Sequence, residues 1–182
     1  MLFRSVHAGN LGFYGAWNTL VTTARHLANE GVGLVFVGDG AQRPQIEEAA
    51  VGANNIRFLD FFPANKIPSV LAAADAHVIT IKRGLEGVVV PSKMYGILAA
   101  GKPILSVAPK EADAVSLGVQ RGFAVAADPD RPAEVVTAVR ALASDPKKLK
   151  AMGEAARAAA PDYDRVGELQ KFVKIIDQLA DR

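Results

Sequence analysis

The sequence predicts an α/β fold, a doubly wound, Rossmann-like parallel sheet of six strands followed by a helical tail. Short apolar or β-branched runs alternate six times with longer stretches of helical period, which is the rhythm of repeated βαβ units. Most of the strand candidates are continuously apolar, as strands covered by helices on both faces are. The 182 residues are 50% hydrophobic and 22% charged, without a repeat or linker-like segment, so a single core is expected.

The strands are predicted over Ser5–Ala8, Gly33–Val37, Ile56–Leu59, His77–Ile81, Pro103–Val107 and Phe123–Ala126. Between and after them fall helices over Ala16–Asn29, Ala41–Ala50, Asn65–Ala74, Ser92–Ala100, Ala112–Gln120 and Pro132–Ala143. Gly101 stands where a helix C-cap belongs, and Pro132 occupies a first turn behind Asp130, which is placed to cap it. The tail comprises Pro146–Ala159 and Asp164–Ala180, where Val166, Leu169, Phe172, Val173, Ile176 and Leu179 share one face. That face needs a surface to lie against, either its own sheet or another domain.

Composition narrows the function. Cysteine is absent, which removes disulfide scaffolds, thiolate metal sites and thiol nucleophiles and makes the cytoplasm the expected compartment. A net charge of +2 and 7% aromatics give no polyanion-binding surface, so nucleic acid is not an expected partner. The longest apolar stretch, Ile67–Ile81, is broken by Pro68, Asp75 and His77, too short for the roughly 18–20 clean residues of a transmembrane segment. Met1-Leu2-Phe3-Arg4-Ser5 lacks the features of a signal peptide and runs straight into a strand, so the natural chain is expected to begin further upstream.

In a doubly wound sheet, ligands sit beyond the carboxyl ends of the strands, near the point where strand order reverses. Four loops there carry suggestive residues. Gly9-Asn10-Leu11-Gly12 with Gly15 follows the first strand, where glycines let a backbone approach a pyrophosphate; their spacing departs from the dinucleotide fingerprint. Gly38-Asp39-Gly40 ends the second strand; Asp39 reads either as a turn and helix cap or as a ribose ligand in a nicotinamide-binding fold. Lys82-Arg83-Gly84-Leu85-Glu86-Gly87, running on to Val88, Val89 and Pro91-Ser92-Lys93, gathers three cations and a carboxylate at the end of the central fourth strand. Cations suit phosphates, and a carboxylate suits sugar hydroxyls. Asp128-Pro129-Asp130 precedes a helix start and reads as capping rather than metal binding. His7, His26 and His77 lack ligand spacing, so no metal site is expected, and His26 reads as a surface or half-buried side chain. Neither a P-loop nor a nucleophile elbow occurs.

Taken in order, these segments resemble the carboxy-terminal, donor-binding domain of the retaining glycosyltransferases of GT-B fold, family 4 type. The matching text is Ala8-Gly9-Asn10-Leu11-Gly12, Phe36-Val37-Gly38-Asp39-Gly40, Ile56-Arg57-Phe58-Leu59, Ala72-Ala73-Ala74-Asp75, Glu86-Gly87 with Pro91-Ser92-Lys93, and Ala99-Ala100-Gly101-Lys102-Pro103-Ile104. The subset with the Pro-Ser-Lys variant is similar to transferases of bacterial O-antigen and capsule assembly.

The resemblance implies that residues 6–182 bind a nucleoside-diphosphate sugar such as a UDP-sugar, with the base near Phe61, Phe62 and Pro63. The diphosphate is implied to rest on the N–H groups of Gly9 to Gly12 and Gly87 to Val89. Glu86 matches the first glutamate of the family's paired-glutamate motif, whose role is to hold the donor sugar and stabilise developing charge. The second, ribose-gripping glutamate falls at Gly96. The Arg and Lys that many members place after the first strand are matched by Asn10 and Tyr14, so Lys82, Arg83 and Lys93 are expected to neutralise the diphosphate in their stead, without a metal or other cofactor.

An amino-terminal acceptor domain, or a separate partner chain, is implied to complete the enzyme, since 182 residues leave no room for it. This chain alone is then an inactive half, acting in polysaccharide or glycolipid assembly in the cytoplasm or peripherally at the inner membrane face. Two rival readings are a dinucleotide-dependent oxidoreductase, resting on Gly9 to Gly15 and Asp39, and a non-catalytic sugar-nucleotide module.

Overall fold

The structure, a computed structural model, describes residues 2–180, without the side chains of Ala114, Arg165 and Val166. Met1 therefore lies outside the described residues, and the expected place of Val166 on the tail's apolar face lies outside the described side chains.

Six strands, β1 (Phe3–Ala8), β2 (Val32–Val37), β3 (Ile56–Leu59), β4 (Ala76–Thr80), β5 (Ile104–Val107) and β6 (Ala124–Ala127), form one sheet. Every neighbouring pair is parallel, in the order β3-β2-β1-β4-β5-β6. The predicted doubly wound class is thus the observed one, and each strand lies within two residues of its expected bounds. β4 is buried along its whole length, as a central strand covered on both sides must be.

Seven helices follow strands or each other: α1 (Trp17–His26), α2 (Arg43–Ala49), α3 (Ile67–Ala73), α4 (Lys93–Ala99), α5 (Asp113–Gln120), α6 (Pro132–Ala143) and α7 (Pro146–Ala159); α8 (Arg165–Ala180) ends the fold. The alternation of side chains along the strands divides the core. Val78 and Leu105 pack with Leu20 and Val21 of α1, Ile46 of α2 and Val139 of α6. Ile79 and Ile104 turn the other way, onto Met94, Ile97 and Leu98 of α4 and Ala156 of α7.

The helix ends show where local chemistry was met and where it was overruled. Gly101 closes α4 with φ +64°, a conformation that favours glycine, as expected of a C-cap. Asp145 accepts from the Lys148 amide at 2.9 Å and caps α7. Asp130 does not cap α6: Arg131 holds the cap position without a side-chain bond, because Asp128 and Asp130 are drawn instead onto Arg83, at 2.8 and 2.6 Å. Nor does Asp39 cap α2; its Oδ1 accepts from the next amide, Gly40, at 2.8 Å, a turn role.

The tail helix does not dock on its own sheet. Leu169, Phe172, Val173, Ile176 and Leu179 remain 50–63% exposed, so the stripe read from the sequence is present but uncovered within the described chain. His26 is exposed, as predicted, while His7 and His77 are fully buried.

Candidate donor site

Strand order reverses between β1 and β4, which are neighbours although 68 residues of sequence separate Ala8 from Ala76. The turns leaving these two strands therefore flank one crevice. A cavity of about 520 Å³ opens there, bounded by Gly9, Asn10 and Tyr14 from the β1 turn, Phe61 and Phe62 from the loop after β3, and Val89, Lys93 and Gly96 from the β4 loop and α4.

The β1 turn is held from several sides. Gly9 and Leu11 donate to Val37 and Asp39 carbonyls, each at 2.8 Å. The Trp17 indole donates to Gly12 O at 2.7 Å, and the Tyr14 hydroxyl donates to Asn10 O. Gly38 abuts it so closely that a Cβ there, at φ +129°, would stand 2.2 Å from Gly9 O; only glycine permits that approach. Arg43 ties the β3 loop to the same corner, bonding Gly38 O at 3.1 Å and Asp60 at 2.6 Å.

Lys93, the first residue of α4, reaches across the crevice. Its Nζ lies 3.0 Å from His7 Nε2 and 3.2 Å from the Tyr14 hydroxyl, and 3.3 Å from where a Gly9 Cβ would be. Burial lowers the Lys93 amine to about 8. Burial first, and the charge of Lys93 second, push His7 down to about 3, so the imidazole is neutral. Burial raises Tyr14 to about 12 and keeps its phenol protonated. The β1 turn and the start of α4 are thus joined by a direct cation contact, whereas Glu86 and Gly87 do not line this cavity.

The remaining predicted residues are placed as follows. Leu11 is fully buried beneath its turn, and Gly12 is buried too. Four of the expected phosphate-binding amides are already engaged: Gly9 and Leu11 as above, and Val88 and Val89 with Leu85 O at 3.2 Å. Among the described residues, the amides of Asn10, Gly12 and Gly87 have no acceptor within the chain. The β4 loop is anchored by Leu85 and Val89, which pack on Ile81, Ala108, Ala112 and Val115. Between these anchors the Glu86 carboxylate folds back onto the Gly84 amide at 2.9–3.0 Å. Gly87 borders an adjoining cavity instead, on the far side of Val89–Pro91.

Arg83 is turned away from the crevice. Its guanidinium spans Asp128 and Asp130 at 2.6–3.0 Å, because a planar fork matched to two carboxylates outcompetes an open loop position. Placed here, it ties the β4 and β6 loops together and does not line the crevice. Lys82 is exposed, and its amide donates to Tyr14 O at 2.7 Å. Val88 and Pro63 are exposed outside the cavity wall. At Gly96 the wall is apolar: a Cβ would already meet Leu71 at 3.3 Å.

His7 and Thr80 are the polar residues that sequence reasoning did not place at the site. Thr80 Oγ1 accepts from the Ala16 amide at 3.0 Å, tying the start of α1 to the end of β4. The one local signal for His7 is its place two positions before a glycine turn at the carboxyl end of a strand, which by itself does not single it out.

Comparison with known proteins bears on the fold and the family. Residues 4–145 match the family described as glycosyl transferases group 1. "Probable glycosyltransferase WbjE" of Pseudomonas aeruginosa is 26% identical over 174 residues, 94% of this chain and 43% of that protein. WcaI of Escherichia coli (strain K12), named for colanic acid biosynthesis, is also 26% identical over 174 residues, covering 94% and 42%. The chain thus spans less than half the length of these curated relatives. Among solved structures, Anabaena Alr3699/HepE in complex with UDP-glucose superposes with a TM-score of 0.80 at 20% identity, covering 97% of this chain and 49% of that one. The C-terminal domain of the group 1 protein LpcC from Francisella tularensis gives 0.67 at 16% identity, covering 88% and 85%. At such identities these likenesses speak to the fold alone. Sequence match and shared fold lead to one conclusion: the chain belongs to the glycosyl transferases group 1 family.

Proposed function

We propose that this chain binds a nucleoside-diphosphate sugar at the β1–β4 crevice and is the donor half of a retaining glycosyltransferase. The observation that carries the reading is the Lys93 amine, held over the Gly9 turn at the switch point of the sheet. A departing diphosphate gains negative charge in the transition state. A fixed donor beside it acts on the barrier itself, at roughly 3–4 kcal/mol for a well-placed group. The open amide of Asn10, on the cavity wall, supplies a further donor.

Phe61 and Phe62, 60% and 40% exposed at the cavity edge, offer apolar faces to the base. Glu86 is assigned to the sugar. Its bonds to the Gly84 amide are exchanged for sugar hydroxyls, a step that the neighbouring glycines permit. The chain's own cations neutralise the diphosphate, and no metal enters the step.

The UDP-glucose complex of Alr3699/HepE supports a UDP-sugar and a hexose as donor. The colanic acid name carried by WcaI supports polysaccharide or glycolipid assembly. The acceptor site and the rest of the catalytic groups come from an amino-terminal domain or a separate chain, without which this half binds donor but does not turn over. No helix among the described residues is long and apolar enough to cross a membrane, and the enzyme acts in the cytoplasm or peripherally at the inner membrane face.

Calorimetric titration with UDP, GDP and NAD tests the reading. Binding of UDP or GDP with none of NAD is the expected result. NAD binding without a response to either diphosphate overturns it in favour of an oxidoreductase. Failure to turn over when the completing domain is supplied reduces the chain to a non-catalytic module.

A further inference from the structure

We propose that His7 is a positioning residue that fixes the ammonium of Lys93 over the Gly9 turn, so that the cation meets the donor diphosphate already oriented. The inference rests on the donor-site reading and assigns the part that makes Lys93 fit for it. A lysine has four rotatable bonds, and holding one in place costs rotamer entropy, so an unsupported amine would be a poorly directed charge.

His7 supplies the support from the stiffest part of the molecule. It lies on β1, which is paired on both sides, and its side chain is fully buried. The ring is packed edge-on against Trp17 at 4.9 Å between centroids and tilted against Phe36 at 6.4 Å. Nδ1 stands 3.2 Å from Val78 O. The Asn10 carbonyl also faces the ring; in the tautomer with the hydrogen on Nδ1, directed at Val78 O, Nε2 presents its lone pair 3.0 Å from Lys93 Nζ. A neutral imidazole in this tautomer is an acceptor aimed at an ammonium.

Tyr14 receives a second hydrogen of the ammonium at 3.2 Å. Two of three donors are then taken, and the third remains for a ligand oxygen. The titratable groups facing Lys93 are His7 from β1 and Tyr14 from the turn; among the described residues, no other ionisable side chain lines the cavity. His77 from β4 adds a small repulsion to His7.

The test measures two quantities on the folded chain: the titration midpoint of the Lys93 amine, by side-chain NMR, and UDP affinity by calorimetry between pH 6 and 9. His7→Leu keeps the apolar bulk and removes the acceptor; it is expected to lower the Lys93 midpoint and weaken UDP binding at pH 7.5 by about tenfold. His7→Gln places an amide oxygen near the Nε2 position and is expected to restore both. In a Lys93→Met background, His7→Leu is expected to change UDP affinity no further.

An unchanged Lys93 midpoint in His7→Leu overturns the proposal, and so does an equal loss of affinity in the Lys93→Met background, which would place His7 in packing alone. If His7→Leu does not fold, His7→Asn replaces it: it keeps a donor for Val78 but is too short to reach Lys93, and the same outcomes apply. Absence of UDP binding in the folded unmutated chain sinks the donor-site reading instead, and the Lys93 midpoint then decides the role of His7 by itself.

Discussion

Lys93 is the cation that reaches into the crevice, and its lowered proton affinity gives a pH dependence with a definite sign. The amine is charged below about 8 and neutral above. Donor affinity should therefore be full near pH 6–7 and fall as pH rises through about 8 and beyond, because the diphosphate meets an uncharged amine. Lys93→Met is expected to weaken UDP binding by roughly ten- to hundredfold at pH 7, the range of a charge-assisted hydrogen bond, and to flatten this pH dependence. Calorimetry across the range checks both.

His7 predicts a second pH effect, this time on stability. Its folded value is lowered from 6.5 to about 3, and burial lowers His77 likewise. The unfolded chain takes up these protons near 6.5 whereas the native chain refuses them, so stability is full above that pH and falls as pH drops toward 3. The melting temperature should decline between pH 7 and 4.5, and less steeply in His7→Gln. An equal slope in the two proteins would show that His7 is not the source.

At this scale the sequence was only partly readable. Lys93, Glu86 and the Gly9 turn stand out because cations and glycines at the ends of strands have few structural reasons to be there. His7 does not stand out, since its role depends on Val78 O and on an amine 86 residues away. Arg83 was equally readable as a phosphate ligand or an ion-pair partner, and only the position of the β6 loop chose between them.

Among the elements, the turns that shape the crevice depend on close packing as much as on hydrogen bonds. A Cβ at Gly15 would stand 2.3 Å from the Trp17 ring, and the ring is fixed by its indole bond to Gly12 O. Gly15→Ala should therefore displace the start of α1 and destabilise the chain by about 1–3 kcal/mol, as overpacking does, read as a drop in denaturant midpoint. Arg83→Ala separates the β4 and β6 loops at an exposed site, where solvent screens such pairs. Its expected effect is a small loss of stability with UDP affinity unchanged. A large loss of affinity would return Arg83 to the diphosphate.

Helix and strand boundaries were legible within a few residues because periodicity and glycine or proline punctuation are local. Caps were less so. Asp145 and Asp130 both precede a proline in a first turn, yet only Asp145 caps, because a long-range guanidinium competes for the other.

For the whole molecule, the open feature is α8. Its apolar stripe is uncovered, and contiguous exposed apolar surface of this kind marks a contact site. By itself the chain is expected to self-associate through this helix in a concentration-dependent way. Phe172→Glu with Ile176→Glu should make it sediment as a monomer while leaving UDP affinity intact. Monomeric behaviour of the unmodified chain at high concentration would assign the stripe no such role.

The sequence by itself determined the sheet class, the succession of elements and which loops leave the carboxyl ends of the strands. All of these follow from local periodicity, from the burial of strands on both faces and from the rule that ligands sit beyond strand ends. The tertiary structure alone decided which side chains act together. Lys93, Tyr14 and His7 meet, and Arg83 leaves for Asp128 and Asp130, because strand order brings β1 beside β4 and leaves β6 at an edge. Hydrogen bonds between residues tens of positions apart depend on that order, and no spacing along the chain encodes it.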